Sequence, residues 1–170
     1  MPEIMVRQKP YIIGVVGSHS DRSPAMTDAY RIGEEIARRG HVLLTGGGTG
    51  IMKAASEGAH RAGGLVVGIL PNDRRCPLAG YPNDFVDIPI YTGMFDGRNV
   101  INAKTPHVLI ALAGGAGTLS EIAIALKSGT PVVGLGAPTM EPVETGRLFT
   151  VSTVEEVMEQ VDRILHGLAT

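Results

Sequence analysis

Glycine is concentrated at two places in this 170-residue chain, Gly46-Gly47-Gly48-Thr49-Gly50 and Gly114-Gly115-Ala116-Gly117-Thr118. Each run follows a short apolar stretch and precedes one with helical spacing, so each reads as a strand-to-helix turn. Glycine lets a backbone approach an anion with no side chain between, and the helix behind it offers unpaired N–H groups and a partial positive charge. Phosphate binding is the chemistry such turns can do. Tight strand-to-helix packing is the plainer use of one glycine cluster; two clusters on one sheet edge tip the balance towards binding. All ten of these residues are therefore expected ligand contacts. Gly17 and Ser18 join them from the turn Gly17-Ser18-His19-Ser20 behind the first strand, where Ser20 also offers a hydroxyl.

The kind of phosphate site narrows by exclusion. Neither turn continues into Gly-Lys-Ser/Thr, which removes the P-loop. The third glycine and the later acidic residue of a dinucleotide site are missing too, which argues against NAD. Glu121 stands three residues after Thr118 and is the best placed acid or base, although Thr118-Leu119-Ser120-Glu121 also reads as a capping box that would occupy its carboxylate. Arg98 could hold a phosphate or polarise a leaving group with its planar fork of donors, or it could be a solvated helix residue. His19, His41, His60, His107 and His166 are dispersed without metal-binding spacing, so they read as structural and no metal site is expected. Cys76, beside Arg74 and Arg75, reads as a plain loop cysteine, with a thiolate favoured by those cations as the alternative.

The elements that must position these residues follow from patterning. Apolar runs at Tyr11 to Val16, His41 to Leu44, Leu65 to Leu70, Phe85 to Ile88, His107 to Leu112 and Pro131 to Leu135 predict buried strands. Ser23-Pro24 predicts a capped helix start, with Met26, Ala29, Ile32, Gly33, Ile36 and Ala37 facing inward. Ser152-Thr153-Val154-Glu155 predicts a capping box for a last helix whose inner stripe is Val154, Val157, Met158, Val161, Ile164 and Leu165. Further helices are predicted at Ile51 to Ala62, Gly93 to Lys104 and Thr118 to Lys127. Pro71 to Asp84 and Ala137 to Thr150 read as loops, the first a candidate lid. The alternation predicts an α/β fold, a Rossmann-like doubly wound, mostly parallel sheet with helices on both faces, in a single domain over residues 1–170.

Bulk properties name no partner. A net charge of -2 leaves no basic surplus for nucleic acid or anionic lipid. One cysteine cannot form an intrachain disulfide, the start lacks the regions of a signal peptide, and no apolar stretch approaches a membrane span. A cytoplasmic protein is expected.

The series Thr45-Gly46-Gly47-Gly48-Thr49-Gly50-Ile51-Met52, Ala62-Gly63-Gly64, Gly68-Ile69-Leu70-Pro71 and Gly114-Gly115-Ala116-Gly117-Thr118-Leu119-Ser120-Glu121 resembles the LOG family and its relatives. That superfamily includes the cytokinin-activating phosphoribohydrolases named Lonely guy and the molybdenum cofactor carrier proteins; the resemblance runs from about Tyr11 to Leu135. In the hydrolase branch, Pro-Gly-Gly-x-Gly-Thr-x-x-Glu supplies a glutamate that works with the arginine of Met-His-x-Arg-Lys to cleave an N-glycosidic bond. Glu121 and Arg98 match those two residues. Here, however, Ala113 replaces the proline, Asn99 replaces the lysine, the histidine is absent and Met94 is shifted by one residue.

The resemblance therefore implies the carrier-like branch: a phosphate- or nucleotide-binding protein, with Arg98 and Asn99 added to the ligand contacts. The alternative it implies is a nucleoside 5'-monophosphate phosphoribohydrolase with Arg98 and Glu121 catalytic. No cofactor is required on either account; the molybdenum cofactor or an AMP-like nucleotide is the implied ligand, and the implied assembly is a homo-oligomer, dimer or tetramer. The name lysine decarboxylase, also used for such proteins, would need a pyridoxal phosphate lysine, and Lys53, Lys104 and Lys127 have no such setting.

Overall fold

The computed structural model describes residues 9–139 and 147–169. Seven strands form one sheet: β1 (Ile12–Val16), β2 (Val42–Thr45), β3 (Val66–Leu70), β4 (Ile88–Tyr91), β5 (Val108–Ala111), β6 (Val132–Leu135) and β7 (Leu148–Val151). Their order is β4-β3-β2-β1-β5-β6-β7 and every pairing is parallel. Helices α1 (Met26–Arg38), α2 (Ile51–Arg61) and α5 (Val154–Ala169) pack on one face around Ile13, Val15, Ile110 and Val133. Helices α3 (Asn99–Lys104) and α4 (Ala116–Ser128) pack on the other, around Val16, Leu109, Ala111 and Val132. The fold is Rossmann-like and doubly wound, with an all-parallel sheet.

Alternation explains the two cores: along β1 and β5, successive side chains enter opposite faces, so strands buried on both sides read as continuous apolar runs. Helices α1 and α2 approach until backbone meets backbone. A Cβ on Gly33 would lie 2.0 Å from the Ala55 carbonyl oxygen, and one on Gly58 would lie 2.0 Å from that of Tyr30. The strand order reverses its progression between β1 and β5. At such a switch point the loops on either side turn to opposite faces and leave a crevice at the carboxyl edge.

Several boundaries differ from expectation. The fourth strand is Ile88–Tyr91, not Phe85 to Ile88, because the Asn83 side chain and carbonyl accept from the amides of Phe85 and Val86 and turn the chain first. β7 takes up the end of the stretch read as the loop Ala137 to Thr150 and runs one residue past it, to Val151; residues 140–146 of that stretch lie outside the described residues, as do both ends of the expected 1–170 domain. Only Asn99–Lys104 of the expected helix Gly93 to Lys104 is α-helical, preceded by a 3₁₀ turn at Phe95–Arg98.

Caps differ as well. Ser23 caps nothing with its side chain; its carbonyl accepts from the Met26 amide in a turn and α1 starts at Met26. The last helix has its box one residue later than expected: Thr153 Oγ1 accepts from the Glu156 amide, and Glu156 accepts from the Ser152 amide.

Candidate functional site

A cleft of about 410 Å³ lies at the carboxyl edge, over the β1/β5 switch point. The end of β1 and the turn Gly17-Ser18-His19 form one side, and Gly115, Ala116, Gly117 and Thr118 at the start of α4 form another. Asp96, Arg98 and Asn99 line a third side, Tyr81, Met52 and Gly46 contribute further wall, and Glu121 reaches it from the second turn of α4.

The α4 terminus is built to be open. Gly115 is its N-cap residue, no side chain caps it, and Gly115, Ala116 and Gly117 are exposed. The first intrahelical bond runs from the Leu119 amide to the Gly115 carbonyl, so the preceding amides have no partner within the helix. Asn99 braces this turn by donating to Ser120 Oγ at 3.0 Å, and Ser120 Oγ donates to the Gly117 carbonyl at 2.7 Å.

Glu121 does not cap α4. The residue is 8% exposed and its Oε1 accepts from Asn102 Nδ2 at 3.1 Å. Burial pushes its pKa from 4.5 up to about 7, against the smaller pull of the Asn102 hydrogen bond and the Arg98 charge. A carboxyl group half protonated near neutrality can give or take a proton. The partner amide is itself buried, and Asn102 Oδ1 has no hydrogen-bond partner among the described residues.

Arg98 is no solvated helix residue. Its Nη1 donates to the carbonyls of Gly46 and Ile69, tying the ends of β2 and β3 together, and Nη2 donates to Tyr81 Oη at 3.3 Å. Of five donors, Nε–H and one Nη2–H have no partner among the described residues. The guanidinium carbon lies 5.1 Å from the Tyr81 ring centre.

The structure thus brings Gly17, Ser18, Gly46, Arg98, Asn99, Gly115, Ala116, Gly117, Thr118 and Glu121 to one cleft. Gly47, Gly48, Thr49, Gly50 and Gly114 do not line it. The Gly47 and Gly50 amides donate to Thr45 Oγ1 and Asp21 Oδ1, and Thr49 Oγ1 donates to the His19 carbonyl. His19, taken with the other histidines as structural, is exposed on the cleft wall; His107 Nδ1, by contrast, accepts from the Ile12 amide. Tyr81, Asp96 and Asn102 stand outside the glycine motifs and were missed, and so was Met52, which closes the first of those motifs. Tyr81 had one available signal, its place in the loop read as a lid. Cys76 is exposed and apart from the cleft.

A doubly wound parallel sheet with a polar, glycine-walled cleft at its switch point defines a Rossmann-like architecture, the cleft lying where ligands bind in such folds. The chain belongs to the SLOG cluster4 family, whose sequence profile matches residues 10–163. It is similar to the molybdenum cofactor binding protein of Rippkaea orientalis, with 38% identity, 92% of this chain and 98% of that chain covered, and a TM-score of 0.84. The molybdenum cofactor carrier protein of Chlamydomonas reinhardtii is similar at 37% identity, 93% and 99% coverage, and a TM-score of 0.82. An uncharacterized Archaeoglobus fulgidus protein is 47% identical over 86% of this chain and 91% of its own length. A probable cytokinin riboside 5'-monophosphate phosphoribohydrolase of Oryza sativa subsp. japonica is 32% identical over 55% of this chain, a match spanning 38% of that protein. The LOG and molybdenum cofactor carrier superfamily is therefore the right one, and the resemblance to carriers extends over nearly the whole chain.

Proposed function

We propose that the cleft holds the phosphate of a phosphorylated heterocyclic molecule, the molybdenum cofactor or a nucleotide, and carries it without turnover. The observation that supports this most directly is the uncapped α4 terminus, whose exposed Gly115-Ala116-Gly117 turn presents amides and the positive end of the helix dipole to the cleft. Ser18 and the two remaining donors of Arg98 add polar contacts, and about 410 Å³ is in the size range of small-molecule sites. Gly47, Gly48, Thr49, Gly50 and Gly114 support the walls in this reading, behind the residues that touch the ligand. The similarity to molybdenum cofactor carriers across more than nine-tenths of the chain favours carriage over cleavage.

Glu121 favours a second reading, hydrolysis of a nucleoside 5'-monophosphate to base and ribose 5-phosphate. A carboxyl with a pKa of about 7 on the cleft wall suits proton transfer to a leaving base. Against it, Glu121 is committed to Asn102 and Arg98 Nη1 to backbone carbonyls. We also propose a cytoplasmic homo-oligomer; the exposed apolar side chains Ile88, Ile90, Met94, Phe95 and Val100 support assembly.

Native mass spectrometry of the purified protein reads both subunit number and retained ligand. A retained pterin, or AMP that stays intact on incubation, is the expected result. Free adenine whose release stops in Glu121→Gln would establish the hydrolase, and a monomer alone would remove the assembly.

A further inference from the structure

Resting on the anion-binding reading above, we infer that Tyr81 is the residue that recognises the ligand's planar ring, so that the cleft selects ring-bearing phosphates over ring-free ones. Tyr81 comes from the long loop between β3 and β4, and it is the only phenyl-type side chain on the cleft wall among the described residues. The loop is fastened to the first glycine turn by Asn83, whose amide donates to the Gly47 carbonyl at 2.8 Å and whose Nδ2 donates to that of Gly48 at 2.9 Å. Asn83 is buried, so these bonds hold a defined loop position two residues from Tyr81.

Gly48 then makes room for the ring. A Cβ there would stand 2.6 Å from Tyr81 Cε1 and Cζ, closer than atoms pack. Arg98 completes the arrangement, its guanidinium near the ring and its Nη2 bonded to the phenol oxygen. Because Oη accepts that bond, its own hydrogen remains available for a ligand. A preordered aromatic ring at a cleft whose other side is an open helix terminus suits a molecule with a flat heterocycle at one end and a phosphate at the other. Stacking on an aromatic side chain discriminates by ring surface and tolerates different heterocycles.

The test compares AMP with ribose 5-phosphate, which differ by the base, using equilibrium binding in a Glu121→Gln background so that AMP stays intact. The parent should prefer AMP by about tenfold, a typical stacking effect. Tyr81→Leu should bring the ratio of affinities close to one, and Tyr81→Phe, which keeps the ring and loses the hydroxyl, should preserve it. Gly48→Ala should lower the ratio with Tyr81 still present, since its Cβ displaces a movable ring end rather than backbone. If Tyr81 only braces Arg98, both ligands weaken together and the ratio survives in Tyr81→Leu and Gly48→Ala; that result, or a parent without AMP preference, overturns the inference alone. Binding of neither compound by the parent overturns the anion-binding reading and this one with it.

Discussion

The two glycine turns look alike as text and do opposite work in the fold. In the first, Gly46, Gly47, Gly48 and Gly50 are buried, and a Cβ on any of them would strike side chain or backbone within 2.7 Å. Its amides and carbonyls are bound by Thr45, Asp21, Arg98 and Asn83, so it is a junction where three loops meet. In the second, Gly115 and Gly117 are exposed with nothing within 4 Å of an added Cβ, and only Gly114 is crowded, by Thr118. Close approach of protein explains the glycines of the first turn; in the second, no described residue crowds Gly115 or Gly117.

Breaking the first turn should produce the largest effect on stability. Gly50 has φ of +63°, a region side chains avoid, and its Cβ would lie 2.4 Å from the Ser18 carbonyl oxygen. Gly50→Ala should cost about 3 kcal/mol, combining backbone strain with overpacking. Gly115→Ala, at ordinary φ and in open space, should stay within about 0.5 kcal/mol. Urea unfolding of both variants checks the contrast, which collapses if the two losses are equal.

A second effect belongs to the open side. Glu121 has its pKa raised from 4.5 to about 7, so between those values the folded state binds more protons than the unfolded chain. Stability from this group is full below about pH 4.5, falls as pH rises, and is lost above about pH 7, by roughly 3 kcal/mol at most. Glu121→Gln should flatten that fall. The variant should match the parent near pH 5 and exceed it by about 1 to 3 kcal/mol at pH 8. Equal denaturant midpoints for the two proteins at both pH values would show that Glu121 is ionised in the fold at little cost.

Much of the fold is legible in the sequence. The apolar runs at Tyr11 to Val16 and His107 to Leu112 read as buried strands and are β1 and β5, and the glycine clusters behind β2 and β5 had to share an edge once the sheet was parallel. What stayed hidden depended on long-range partners. Asn102 lies in a helix with no motif of its own, and only packing places it against Glu121, 19 residues away in sequence. The same distance effect misled the reading of Thr118-Leu119-Ser120-Glu121: local spacing proposed a cap, but α4 begins at Ala116, so the carboxylate starts a turn too late to reach it. Short elements failed for lack of periods. Leu148-Phe149-Thr150-Val151 spans two side-chain repeats, too few to stand out beside a loop, and pairing with β6 makes it a strand.

The smallest effect on stability is the most diagnostic for the second turn. Gly115 is an N-cap without a side chain, so Gly115→Asp supplies the oxygen that the helix end lacks and places a negative charge on its positive pole. Folding should gain about 0.5 kcal/mol. Binding should move the other way, because the carboxylate occupies the amides and repels a phosphate. AMP titration beside urea unfolding would show the two changes with opposite signs if the terminus is a ligand site. If stability rises and AMP affinity is untouched, the open helix end holds no phosphate, and the two turns differ only in how tightly protein packs around them.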